Sequence, residues 1–287
     1  MNLINITLQA LRTFDQNDMA LIQRIADQSQ ASDILKISPQ AVRLQQATCT
    51  AELQQQISAE CFATQIDSNF ATSARKLSDF KLVAMDMDST LITIECIDEI
   101  ADMQGLKAQV SEITEAAMRG ELEFQESLTR RVALLKGLDA SALQKVYDER
   151  LQLSLGADKM LKAIQQAGLK TLLVSGGFTF FTDRMKTRLK LDYTHANVLE
   201  IADGKLTGKV VGGIVDADEK QRTVERVCAE MGIATSQAIV MGDGANDLKM
   251  MKIAGMSVAF RAKPVVRAQA DVALNFVGLD GVLNLLN

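Results

Sequence analysis

Two hydrophobic rhythms run along this chain, and the changes from one to the other mark out its elements. Ile4-Asn5-Ile6-Thr7-Leu8 alternates apolar and polar residues, the period of a half-buried strand. Asp18 to Gln28 returns its apolar residues at helical spacing. Residues 32–46 read as two short strands around the turn signal Ser38-Pro39-Gln40, Thr50 to Ala63 as a helix, and Thr64 to Phe70 as an edge strand. That order, β-α-β-β-α-β, predicts a small α+β module of ferredoxin-like type over residues 1–76. The polar stretch Ala71 to Lys76 is the candidate linker that ends it.

From Leu77 the pattern changes. Lys81-Leu82-Val83-Ala84-Met85 is an apolar run of strand length. Cys96 to about Leu153 then shows helical spacing and no convincing strand, as a small helical bundle would. After it, strands and helices alternate. Ala157 to Ala167 reads as a helix, Lys170 to Val174 as a strand, and Asn197 to Val211 as a hairpin about Asp203-Gly204. Asp218 to Met231 is a helix, Ala238 to Met241 a strand, and Leu248 to Ala254 a helix that Asn246 or Asp247 can cap. Ser257 to Phe260 and Val272 to Asn275 are closing strands. The expected fold is α/β: a Rossmann-like parallel sheet with helices on both faces, formed by residues 77–95 and 154–287, with a helical-bundle cap inserted at 96–153.

Composition narrows the function. The 287 residues, 47% hydrophobic, suffice for more than one core. A net charge of -5 without a basic stripe argues against nucleic acid, and 4% aromatics with no Trp leave few stacking platforms. No apolar run approaches a membrane span, and the N-terminus lacks the basic-then-apolar order of a signal peptide. A soluble, cytoplasmic protein is expected. Cys49, Cys61, Cys96 and Cys228 contain no Cys-x-x-Cys pair and read as reduced thiols. His195, the only histidine, cannot complete a zinc site with them, and with no nucleophile elbow to serve it reads as structural.

The chemistry lies where strands run out. The first apolar strand ends in Asp86-Met87-Asp88-Ser89-Thr90, the second in Ser175-Gly176-Gly177, and a third in Gly242-Asp243-Gly244-Ala245-Asn246-Asp247. Parallel strands place these ends on one edge of the sheet, where ligands of open α/β folds bind. Carboxylates gathered there repel one another unless a hard cation joins them, and Mg²⁺ prefers a few carboxylates, waters and phosphate oxygens. Ser175 with two glycines offers a hydroxyl and close backbone N–H groups, and Lys220 neutralises a bound phosphate. Together these parts suit phosphoryl transfer. Each alone has a plainer reading as a turn or a solvated surface residue. An EF-hand is excluded, because Leu91 stands where its glycine belongs and Ile97 where its bidentate glutamate belongs. P-loop and dinucleotide motifs are absent.

These three segments, taken with Lys220, resemble the four motifs of the haloacid dehalogenase superfamily. The insert directly after the first motif, with Glu95 close behind, is similar to the branch that hydrolyses O-phosphoserine. The resemblance covers residues 80–287 well. It implies a nucleophilic Asp86 that takes the phosphoryl group as an aspartyl-phosphate, and an Asp88 that protonates the leaving hydroxyl and then activates water. Mg²⁺ would be held by Asp86, the backbone carbonyl of Asp88 and Asp243, with Asp247 orienting the metal shell. Ser175, Gly176 and Lys220 would bind the phosphoryl group, helped by Asn246. Glu95 would pair with the substrate ammonium, Arg131 would clamp its carboxylate, and Met118 with Phe124 would form an apolar lid. Several relatives carry an ACT-like module at the N-terminus, and residues 1–76 resemble a diverged copy, a scaffold or interaction unit with a homodimer contact among its open roles.

Two rivals stay open at this stage. One is another phosphatase or phosphotransferase of the superfamily, acting on phosphothreonine, phosphohomoserine or a sugar phosphate. The other is a non-enzymatic regulator that binds an amino acid through the N-terminal module. The pair Asp86 and Asp88 argues against a mere binder, which needs neither nucleophile nor acid.

Overall fold

The computed structural model describes residues 3–72, 75–118 and 121–286, with nothing stated for the side chain of Met118. Part of the expected linker, residues 73 and 74, therefore lies outside the described residues.

The N-terminal elements appear in the expected order: β1 (Ile4–Ala10), α1 (Gln16–Gln28), β2 (Asp33–Ser38), β3 (Ala41–Ala47), α2 (Ala51–Ala63) and β4 (Ile66–Ala71). The strands form an antiparallel sheet in the order β2-β3-β1-β4. Strand alternation separates its faces. Ile6, Leu8, Leu44 and Ile66 pack against Ile22 and Ile25 of α1 and Ile57 and Cys61 of α2. The other face is polar and nevertheless buried: Thr7, Gln9, Arg43, Asp67 and Asn69 all lie under cover. What covers them is the C-terminal segment. The Asp67 carboxylate accepts backbone N–H bonds from Asn275 (2.8 Å), Phe276 (3.0 Å) and Val277 (3.1 Å), and Asn69 Oδ1 accepts from Ala273 N (2.9 Å).

The second sheet holds β5 (Leu82–Met85), β6 (Lys170–Phe178), β7 (Tyr193–Ala202), β8 (Lys205–Val211), β9 (Ala238–Gly242), β10 (Met256–Phe260) and β11 (Val272–Leu274). Among the described residues its order is β11-β10-β9-β5-β6-β7-β8. It is parallel except at β8, which returns antiparallel to β7, so the expectation of a parallel sheet holds for all but this edge. Both faces are apolar, as in sheets covered on both sides. Val83 and Met85 join one core with Leu173, Ile239 and Met241, while Leu82 and Ala84 join another with Leu172, Val174 and Val240.

Helices α3 (Cys96–Asp102), α4 (Lys107–Met118), α5 (Phe124–Leu134) and α6 (Ser141–Glu149) form the insert. Its neck is stitched by an antiparallel bridge between Ile92 and Leu153, with Thr93 N bonded to Gln152 O at 2.9 Å and Ser154 N to Leu91 O at 3.0 Å. The β7–β8 hairpin braces it from the side through Gly137 N to Leu206 O and Leu206 N to Leu138 O, both 2.8 Å. The remaining helices are α7 (Ala157–Gln166), α8 (Thr179–Leu189), α9 (Ala217–Glu230), α10 (Leu248–Lys252) and α11 (Pro264–Arg267). The hydrophobic spacing predicts neither α8 nor α11. The sequence also offers Asn246 or Asp247 as a helix cap, whereas no side-chain capping bond is made by Asp247 at the start of α10, its carboxylate being held elsewhere.

Candidate active site

At the end of β5 the chain must turn sharply, and it does so with a short irregular turn over Met87–Leu91 in which Ser89 takes the left-handed conformation at φ +56°. Asp86 is tied back to the sheet by its N–H to Met241 O (3.0 Å), and its Oδ1 accepts from Met87 N (2.6 Å). From α9, Lys220 Nζ reaches Asp86 Oδ2 and Asp247 Oδ1, each at 2.7 Å, with no solvent exposure of its own. Asp247 Oδ2 accepts N–H bonds from Asp243 (3.1 Å) and Gly244 (3.0 Å). Asp243 Oδ1 accepts from the Thr90 hydroxyl at 3.0 Å. Gly242 makes this possible, because a Cβ there would stand 2.4 Å from Asp247 Oδ2.

Three carboxylates thus face one ammonium. Asp86, Asp243 and Asp247 each offer an oxygen, all within 4.8 Å of one another. Burial raises Asp86 well above the ordinary carboxylate range, with Lys220 opposing and Asp247 and Asp243 adding to it. Burial and Asp247 likewise push Asp243 up to about 6. Burial alone would lower Lys220, but the carboxylates outweigh it and hold the ammonium above its usual value. Hard oxygen donors, crowded and undercharged with cation, are the donor set that a divalent hard cation fits.

Asp88 sits differently. Its Oδ2 accepts from Cys96 N at 3.0 Å, while its Oδ1 is buried without a hydrogen-bond partner. Burial, then Glu95, raises it to about 7. Its carboxylate is not one of the three that converge for a cation. Ser175 lies beside it: a Cβ on Gly177 would meet Met87 Cε and Ser175 Oγ at 3.1 Å and Asp88 Oδ2 at 3.4 Å. Ser175 Oγ accepts from Gly177 N (2.9 Å), and Asn197 braces the same loop by donating to Gly176 O at 2.7 Å.

The insert closes over this edge. The Phe124 ring stands against Gly176, where an added Cβ would lie 3.1 Å from Phe124 Cζ. Gln125 Nε2 bonds Asp216 Oδ2 at 2.7 Å, joining the start of α5 to the residue that caps α9. Glu95 accepts from Ser89 Oγ at 2.7 Å, and desolvation raises its carboxyl above the ordinary range. Burial lowers half-buried Arg131, and Asp98, Glu95 and Asp88 oppose that.

A haloacid dehalogenase-like hydrolase family model matches residues 80–255. The phosphoserine phosphatase of Polaromonas sp. is 58% identical over 223 residues, which is 76% of this chain and 94% of that one. The chain belongs to the phosphoserine phosphatase family of haloacid dehalogenase-like hydrolases. A probable phosphoserine phosphatase from Vibrio cholerae, in unliganded form, superposes with a TM-score of 0.82 at 36% identity, covering 99% of this chain and 86% of that one. A phosphoserine phosphatase carrying a phospho-aspartyl intermediate analogue superposes at 0.68 with 38% identity, over 72% of this chain and 99% of the other.

Within this family frame, the structure brings Asp86, Asp243, Asp247 and Lys220 together, and sets Ser175 and Gly176 beside Asp88 and under Phe124. Glu95 and Arg131 lie close enough to Asp88 for their charges to act on one another. Asn246 is half-buried next to Gly244 and makes no side-chain hydrogen bond to the acidic cluster. The Met118 side chain lies outside the described residues. Sequence reasoning missed Thr90, Cys96, Asp98 and Asn197. Thr90 alone carried a signal, as part of the first motif; the others act through folding that no spacing reveals.

Proposed function

We propose that this chain hydrolyses O-phospho-L-serine to L-serine and phosphate, with Asp86 as nucleophile and Asp88 as acid and base. The observation that carries the reading is the unequal treatment of two neighbouring carboxylates. Asp86 is fixed by Lys220 and Met87 N, while Asp88 keeps an unpartnered oxygen and a pKa of about 7. A carboxylate held in an ion pair with Lys220 suits attack, and a raised carboxyl with a free oxygen suits proton transfer.

An Asp86 oxygen forms a bond to phosphorus as the bond to the serine oxygen breaks, and Asp88 gives its proton to that oxygen. Water then attacks phosphorus, Asp88 takes its proton, and the Asp86 carboxylate leaves. Ser175 and the backbone N–H groups of its loop hold the phosphoryl oxygens, and Lys220 balances their charge. Mg²⁺ would be held by Asp86, Asp243 and the carbonyl of Asp88, oriented by Asp247, and would neutralise charge on the transferring group. Glu95 would receive the ammonium and Arg131 the carboxylate of the substrate, with Met118 and Phe124 as lid and Asn246 assisting at the phosphate. The units that do this are the core of 77–95 and 154–287 and the cap of 96–153, with 1–76 as an appended ACT-like module. We take the setting as cytoplasmic; among the described residues no helix is long and apolar enough to cross a membrane.

The test is Mg²⁺-dependent phosphate release from O-phospho-L-serine, phosphothreonine and glucose 6-phosphate. Phosphoserine should be strongly preferred, and Asp86→Asn should cut kcat at least ~10³-fold, about 4 kcal/mol of barrier. Equal rates on the sugar phosphate would remove the roles of Glu95 and Arg131. Release from none of them would overturn the reading.

A further inference from the structure

A cavity of about 250 Å³ lies between the polar face of the N-terminal sheet and the strand edge of β10 and β11, and it shares no residue with the acidic cluster. Thr7 of β1 is in register with Arg43 of β3 on one side and Asn69 of β4 on the other, so the three side chains stand in a row on that face. All three line the cavity, and all three are more than nine-tenths buried.

Two of them are donors short of an acceptor. Arg43 gives one hydrogen bond, from Nη2 to Asn284 O at 2.7 Å, and among the described residues no carboxylate stands within ion-pair distance of it. Burial depresses its pKa with nothing opposing. Asn69 Nδ2 has no partner at all. Its orientation is fixed, because Oδ1 accepts from Ala273 N at 2.9 Å and a flip would set N–H against N–H. A buried guanidinium that lines a cavity and has no carboxylate partner calls for an oxyanion.

The other wall narrows the choice. Asp271 and Arg75 line it as a pair 3.7 Å apart, so this wall adds little net charge, while Phe70, Met256 and Val272 offer apolar surface that an organic body fills and phosphate does not. We propose that this cavity is a binding site for a small organic carboxylate, its oxygens on the Arg43 guanidinium and its body on the apolar wall. The site joins the two sheets and does not depend on the phosphatase reading, since its test reads binding and not turnover.

Propionate and inorganic phosphate are the probes, titrated separately by ligand-observed NMR into the full-length chain in EDTA. Propionate should bind saturably to the unsubstituted protein, and at least tenfold more weakly to Arg43→Met, with folding checked by cooperative thermal unfolding. Should Arg43→Met fail to fold, Arg43→Gln carries the comparison. Absence of saturable propionate binding, or equal binding by the variants that fold, would overturn the proposal. So would phosphate binding more tightly than propionate and being lost in the same variants, which would assign the cavity to phosphate.

Discussion

Lys220 and Arg43 are both cations withdrawn from water, and the chain surrounds them in opposite ways. Lys220 meets two carboxylates at 2.7 Å each, and its ammonium is held above the usual value. Arg43 meets a backbone carbonyl and lines a cavity, and burial pushes its guanidinium below the usual value. Burial pulls both downwards, and only at Lys220 does anything oppose it, so burial by itself does not decide the outcome. The partners do. A buried cation with acids is a finished electrostatic unit, whereas a buried cation without one is half of a pair.

Removing each cation should therefore have unequal consequences, and Lys220→Met should have the larger. It leaves Asp86 and Asp247 facing each other and Asp243 without a balancing charge. Breaking a buried pair from one side destabilises by about 3–5 kcal/mol. That loss should appear in denaturant unfolding at pH 8 in EDTA and shrink at pH 5, where the orphaned acids can take protons. Phosphatase activity should fall by ~10³-fold or more. A Lys220→Met chain as stable as the parent at pH 8 would break the contrast.

Removal of the divalent cation is the next largest lever. In the metal-free chain Asp243 titrates at about 6 and Asp88 at about 7, both above the ordinary value of 3.8. A folded-state pKa that is raised means the folded chain binds the proton more tightly. The stability it contributes is complete below the unfolded value and is lost as pH rises through about 6 to 7. The midpoint of thermal unfolding in EDTA should fall by roughly 5 °C between pH 5 and pH 8. Saturating Mg²⁺ should stabilise more at pH 8 than at pH 5, and Asp243→Asn should flatten the EDTA profile. Larger Mg²⁺ stabilisation at pH 5 would contradict the assignment of the acidic cluster.

The two cations also differ in how far sequence reveals them. Asp86, Asp88, Ser175, Asp243 and Lys220 were legible because strand ends of a parallel sheet share one edge, so local pattern and topology together place distant residues. The β-α-β-β-α-β order of the N-terminal module was legible for the same reason: strand and helix periods are local. Arg43 was not. It sits in Ala41-Val42-Arg43-Leu44, whose alternation says only that its side chain faces away from Val42 and Leu44. That this second face is buried depends on the C-terminal segment docking onto it through Asp67 and Asn69, a contact between residues more than two hundred positions apart. The helix α8 escaped for a different reason. It follows the Ser175-Gly176-Gly177 loop directly, within β6's last residues, and leaves no turn signal between strand and helix.

Arg43→Met closes the comparison with the smallest effect. A side chain of similar length removes the hydrogen bond to Asn284 O, which contributes about 1 kcal/mol net. It also removes a desolvated charge that no carboxylate balances, and replacing buried ionic groups by apolar ones of similar volume is often neutral or stabilising. These contributions oppose each other, so stability in carboxylate-free buffer should change by no more than about 1 kcal/mol in either direction. Adding propionate should then raise the unfolding midpoint of the parent and leave that of the variant where it was, because only a ligand that binds the folded state shifts it. If Arg43→Met instead costs as much as Lys220→Met, Arg43 is a strut of the docked interface, and its cation is already balanced by the dipoles around it.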